Sequence, residues 1–213
     1  MKSIEDQVSA IILAGGKSTR MGQDKALLSL NNETFLDHVC QIAIECSTKT
    51  YVVSPWIEKY QNVLTLGYHP VKEQLVLNKT SNTPLIGFAQ AMPLVQTEWV
   101  LLLACDLPLL SSSQVKQWLL ALATVLPTEI AFLPRGAKGW EPLCGFYRRS
   151  CFSSLEQYIS AGGMSFQGWL AECSVKELVI RDRQTIFNCN TPEDWQQVKN
   201  TARKSPKILN FYK

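Results

Sequence analysis

The chain reads as an α/β domain built on a mostly parallel, mixed sheet with helices on both faces. Three observations predict this. Short apolar runs of strand length alternate with amphipathic stretches of helix length. Two of those runs, Val8–Leu13 and Trp99–Ala104, are almost continuously apolar, as strands covered on both faces must be. Each of the two ends in a polar motif, and ligands of such sheets bind beyond the carboxyl ends of the strands.

Taken in order, the first run closes at Gly15-Gly16. Phe35, Val39, Ile42, Ala43 and Cys46 then recur at helical spacing and predict a helix over residues 34–46, capped by Asn32 or Thr34. Residues 50–53 read as a second strand closed by Ser54-Pro55, and residues 63–66 as a short third. Residues 67–83 are polar and irregular, and read as a mobile loop able to cover a site. Pro84 suits the first turn of a helix running to about Leu94. The run ending at Ala104 is the strongest central-strand signal, and three serines at 111–113 can cap a helix over residues 114–125. Further strands are expected at residues 129–133, 143–147 and 178–180, and helices at 151–160 and 165–173. A last helix starts at Pro192, capped by Thr191, with Glu193 and Asp194 in its first turn. The expectation is a single domain over residues 1–213, with a core of about 8–200 and a solvated tail at 201–213.

Composition narrows the function. A net charge of +3 suits a site for polyanionic small molecules, but is too weak to argue for nucleic acid or a membrane surface. The seven cysteines form no C-x-x-C, and two histidines cannot complete a zinc cluster. Scattered thiols fit small core residues in a reducing compartment. The first apolar run is short and follows Glu5 and Asp6, unlike a signal peptide, and no stretch has the length of a membrane span. A cytoplasmic protein is expected.

Two motifs carry chemistry. The first runs Leu13-Ala14-Gly15-Gly16-Lys17-Ser18-Thr19-Arg20-Met21-Gly22-Gln23-Asp24-Lys25. Glycines directly after a buried strand let the backbone turn sharply and offer N–H groups to a phosphate, and Arg20 and Lys25 add positive charge. It is not a Walker A loop, because the position five residues before Gly16 is Ile11, and no G-x-G-x-x-G can be placed on it. The second is Cys105-Asp106-Leu107-Pro108. A carboxylate there can ligate Mg²⁺ bridging nucleotide phosphates, or simply cap the turn before Pro108. Arg135, Lys138 and Trp140 read either as a solvated basic turn or as an acceptor wall.

These motifs, with Pro84-Leu85-Ile86-Gly87 and Asn188-Cys189-Asn190-Thr191-Pro192-Glu193-Asp194 in the same order, resemble the molybdenum cofactor guanylyltransferases of the MobA type. The resemblance spans residues 8 to about 198. It implies a Rossmann-like nucleotidyltransferase fold that transfers GMP from GTP to the terminal phosphate of Mo-molybdopterin with Mg²⁺, releasing pyrophosphate. Carried over by motif, Leu13, Ala14, Gly15 and Gly16 contact the guanosine, Arg20 and Lys25 the phosphates, and Asp106 the Mg²⁺. Asn188 and Asn190 face the pterin or assist the metal. Asp24 orients Lys25 or binds a metal water. Other cofactor-biosynthesis proteins and acceptor molybdoenzymes are the implied partners. Related cytidylyltransferases carry a second alanine in the first loop, so Gly15-Gly16 favours guanine. The chain departs from the family at Thr83, where a Gly usually precedes the Pro-Leu-x-Gly segment. The family's acidic residue in the preceding loop is matched only loosely, near Glu73-Gln74. The alternatives are a cytidylyltransferase, a sugar-phosphate nucleotidyltransferase of the same fold, or a nucleotide-binding protein without turnover.

Overall fold

A computed structural model describes residues 4–16, 18, 21–64, 67–76 and 82–204. Seven strands form the main sheet: β1 (Val8–Leu13), β2 (Lys49–Ser54), β3 (Tyr68–Lys72), β4 (Trp99–Ala104), β5 (Ala131–Leu133), β6 (Cys144–Arg148) and β7 (Val175–Glu177). Their order is β7-β5-β6-β4-β1-β2-β3. Strand β6 runs antiparallel to β4 and β5, and the other four pairings are parallel. The mostly parallel mixed sheet is therefore present.

Side chains of β1 and β4 alternate between two apolar layers, as the two-residue period of a strand dictates. Ala10, Ile12, Leu101 and Leu103 meet α1 (Phe35–Cys46) and α3 (Ser112–Ala121) on one face. Ile11, Val100 and Leu102 meet α2 (Pro84–Ala91), α4 (Phe152–Ser160) and α5 (Phe166–Ala171) on the other. A third, smaller cluster seats α6 (Pro192–Lys204), where Trp195 meets Phe35 edge-on at 5.2 Å. The cap of α1 is Thr34, which accepts from the Asp37 N–H at 3.1 Å. Asn31 and Asn32 instead take positive φ in the hairpin turn before it. All seven cysteines are free, and five are buried.

Three expectations need correction. The third strand lies at Tyr68–Lys72, and residues 63–64 are in a turn. It is an edge strand, paired only to β2, and its outer residues are exposed. Pro70 is tolerated there because an edge strand has N–H groups with no ladder partner to lose, so the apolar signal that marks central strands is missing. For the same reason the loop reading of 67–83 fails for residues 68–72, while residues 77–81 lie outside the described residues. The last strand is Val175–Glu177 rather than residues 178–180. Leu178 is buried and its N–H reaches Leu133 O at 2.8 Å, but Val179 is 75% exposed.

Candidate functional site

The carboxyl ends of β1, β3 and β4 open on a pocket of about 210 Å³. The backbone continues sheet-like pairing past β1, with the Ala14 N–H bonded to Val53 O at 2.9 Å. Ser54, at the end of β2, donates its hydroxyl to Ala14 O at 2.9 Å and pins the start of the loop. Leu13 to Gly16 form one pocket wall.

Gly15 and Gly16 are not at positive φ; among the described residues of this loop the left-handed positions are Ser18 (φ 50) and Gly22 (φ 69). The paired glycines therefore do not serve left-handed backbone positions. Gly15 is needed for close approach instead, because a Cβ there would lie 2.8 Å from Glu73 Oε2. Glu73 follows β3, and its N–H bonds Ser54 O at 3.0 Å, so the edge strand delivers it beside the loop. It is buried, and the Asn82 amide donates to its Oε1 at 2.8 Å. Burial pushes the Glu73 carboxyl above the usual carboxylate range, an effect the Asn82 hydrogen bond partly opposes.

Lys25 and Asp106 meet, although 81 residues separate them. The Lys25 ammonium lies 2.6 Å from Asp106 Oδ2 and 2.8 Å from Asn190 Oδ1, with both partners of the ion pair mostly buried. The Lys25 N–H bonds Ser18 Oγ at 3.1 Å, which ties the glycine loop to the lysine. Asp106 follows the fully buried β4, and its carbonyl accepts from the Cys189 N–H at 3.0 Å. Asn190 is held by α6: Asp194 Oδ2 accepts from the Asn190 and Thr191 N–H groups, and Thr191 Oγ1 accepts from the Asp194 N–H. This is a reciprocal capping arrangement at the helix start.

Among the described residues, two buried side-chain polar atoms have no hydrogen-bond partner: Asp106 Oδ1 and Thr83 Oγ1. Both residues line this pocket. A buried polar atom left unpaired costs about 1–3 kcal/mol, so the fold alone does not account for these two. No group of three His, Cys, Asp or Glu capable of holding a metal occurs among the described residues. Mg²⁺ does not need one, since it keeps several waters and takes one or two carboxylates plus substrate phosphates. The free oxygen of Asp106 fits that role.

Of the other expected residues, Asp24 also lines the pocket and Asn188 does not. Arg20 lies outside the described residues. Asp24 does not orient the Lys25 ammonium. Its Oδ1 caps the Ala26 N–H at 3.1 Å and its Oδ2 accepts from Tyr60 and Lys59 at 3.0 and 3.1 Å. Asn188 is half-buried and is not among the pocket-lining residues. Arg135 sits over Trp140, and Gln167 bonds the Trp140 backbone on both sides. Arg135-Gly136 and Gly139-Trp140 pair as a short hairpin fastened to α5 through Gln167, and of its neighbours Leu143 reaches the pocket. Ser54, Asn82 and the hydroxyl of Thr83 gave no local sequence signal, because their roles come from strands and helices distant in the chain.

The family model of the MobA-like NTP transferase domain matches residues 10–176. A probable molybdenum cofactor guanylyltransferase of Nostoc sp. (strain PCC 7120) is 48% identical over 89% of both chains. Another, from Synechococcus elongatus, is 42% identical over 90% of this chain and 97% of its own. Among solved structures, molybdopterin-guanine dinucleotide biosynthesis protein A of Archaeoglobus fulgidus superposes with a TM-score of 0.73 at 19% identity, covering 92% of this chain and 99% of its own. The 2-C-methyl-D-erythritol 4-phosphate cytidylyltransferase of Thermus thermophilus gives 0.68 at 16% identity, over 92% and 99%. At these identities the two structures bear on the fold alone.

Proposed function

The chain belongs to the MobA-like NTP transferases, and among them to the molybdenum cofactor guanylyltransferases, and from that premise we propose how its site moves GMP from GTP to the terminal phosphate of Mo-molybdopterin. One observation carries the reading. A lysine ammonium is fixed by Asp106 and Asn190 at the strand ends, beside a glycine loop and a carboxylate oxygen with no partner.

Guanosine lies against Leu13, Ala14, Gly15 and Gly16, with Glu73 at the base, and the triphosphate runs toward Lys25 and Asp106. An ammonium has three N–H donors. Two of those on Lys25 are engaged by Asp106 and Asn190, which leaves the third for an oxygen of the α-phosphate. The acceptor's terminal phosphate is already anionic, so no general base is required. Its oxygen forms a bond to the α-phosphorus, and the bond from that phosphorus to the bridging oxygen breaks. The electron pair leaves with pyrophosphate. Lys25 stabilises the charge that grows on the α-phosphate, and Arg20 is assigned to the leaving group. When bound, Mg²⁺ neutralises phosphate charge, and Asp106 Oδ1 is the protein oxygen that would hold it. Asn188 is assigned to the pterin side, and Asn190 holds Lys25.

No described helix is long and apolar enough to cross a membrane. The proposal places the reaction in the cytoplasm, with other cofactor-biosynthesis proteins and acceptor molybdoenzymes as partners.

Thermal unfolding with nucleotides tests this reading. GTP with Mg²⁺ at about 100-fold excess over Kd should raise Tm by roughly 5–10 °C, well beyond CTP. Asp106→Asn should fold normally and lose the Mg²⁺-dependent part of that shift. Equal stabilisation by CTP would move the assignment to cytidylyl transfer, and an unaltered shift in Asp106→Asn would leave the metal without its ligand.

A further inference from the structure

Thr83 occupies the N-cap of α2, where a threonine hydroxyl ordinarily accepts from an N–H of the first turn. Here it does not. The first-turn Ile86 N–H bonds the Thr83 carbonyl at 3.0 Å, and the side chain makes no capping bond. The hydroxyl oxygen is nevertheless buried and has no partner among the described residues, and Thr83 is one of the residues that line the pocket.

Its neighbourhood is polar and hydrogen-bonded. Asn82 donates to Glu73 Oε1 and to Gln74 O, both at 2.8 Å, and its Oδ1 accepts from the Val76 N–H at 2.9 Å. The same Glu73 carboxylate packs against Gly15 and against Gly87, one turn along α2. One pocket is thus lined both by a residue whose hydroxyl can donate and by a carboxylate that can only accept when charged. Guanine presents a matching edge: an O6 acceptor followed by the N1–H and N2–H donors. Adenine and cytosine present an amino donor followed by a ring-nitrogen acceptor, which is the opposite order.

We propose that Thr83 is a specificity-determining residue whose hydroxyl donates to O6 of a guanine base held beside Glu73. The proposal rests on the reading of the pocket as the GTP site and adds a contact that discriminates the base.

The test is Thr83→Val, which keeps the branched shape and removes the hydroxyl, with Thr83→Ser as the conservative control. Dissociation constants are measured for GTP, for inosine triphosphate (O6 retained, 2-amino group absent) and for 2-aminopurine riboside triphosphate (O6 absent). Thr83→Val should weaken GTP and inosine triphosphate by about tenfold and leave the 2-aminopurine nucleotide unchanged. Thr83→Ser should stay within about twofold of the wild type for all three. Without ligand, Thr83→Val should melt at or above the wild-type temperature. Unchanged GTP affinity, an equal loss for all three nucleotides, or a clearly lower melting temperature would each overturn the proposal. Failure of the wild type itself to bind GTP would instead remove the reading beneath it.

Discussion

At Gly15 the space that a Cβ would fill belongs to Glu73, whose Oε2 lies 2.8 Å from that point. Burial raises the Glu73 carboxyl's pKa, so the folded protein holds a proton there more readily than the unfolded chain does. The associated stability is fully present below the unfolded carboxylate's pKa and is lost as pH rises through the raised folded value. Glu73→Gln stays neutral and keeps an acceptor for Asn82. It should melt together with the wild type near roughly pH 4 and a few degrees above it near pH 8, while binding GTP more weakly. A melting difference that does not change with pH, or that reverses, contradicts the account. Lys25 and Asp106 were legible as single residues because each sits in a distinctive local motif. Glu73 was legible only as a loose possibility. Its placement depends on pairing between β2 and β3, which no window of sequence around it displays.

Helix α6 carries Asn190 to the lysine across 165 residues of sequence. Its start was readable from Thr191-Pro192-Glu193-Asp194, since a cap, a first-turn proline and early acids announce a helix locally. What the cap holds was not readable. Asp194 accepts from two successive N–H groups, at 2.8 and 2.9 Å, and so fixes the backbone of Asn190 against Lys25. Asp194→Ala should cost about 1 kcal/mol of stability, as other lost caps do. If the clamp on Lys25 matters to catalysis, kcat should fall by about tenfold with the KM for GTP changed less. Asp194→Asn, which keeps an acceptor, should recover most of both. Full activity in Asp194→Ala would reduce this helix end to a scaffold. The strands divide in the same way. β1 and β4 declared themselves through unbroken apolar runs, whereas β3 and β7 are edges with one partner each, and half-exposed residues hide their period.

Across the whole molecule, the order of elements gave the α/β class. The sheet then converts two motifs far apart in sequence into one site, because β1 and β4 are parallel neighbours and end side by side. That adjacency is the step from sequence to function. It places the glycine loop and Asp106 around a single pocket that Thr83 and Glu73 also line, with Lys25 between Asp106 and Asn190. In the proposed reaction this is where nucleotide and acceptor meet at one phosphorus. The measurement that tests this most directly is pyrophosphate release by the purified protein with GTP, Mg²⁺ and Mo-molybdopterin. The account predicts pyrophosphate in equal amount to the guanine dinucleotide, none without the acceptor, and a rate with CTP at least about 100-fold lower. Release with CTP at a comparable rate, or GTP bound with acceptor present and no pyrophosphate formed, would contradict it.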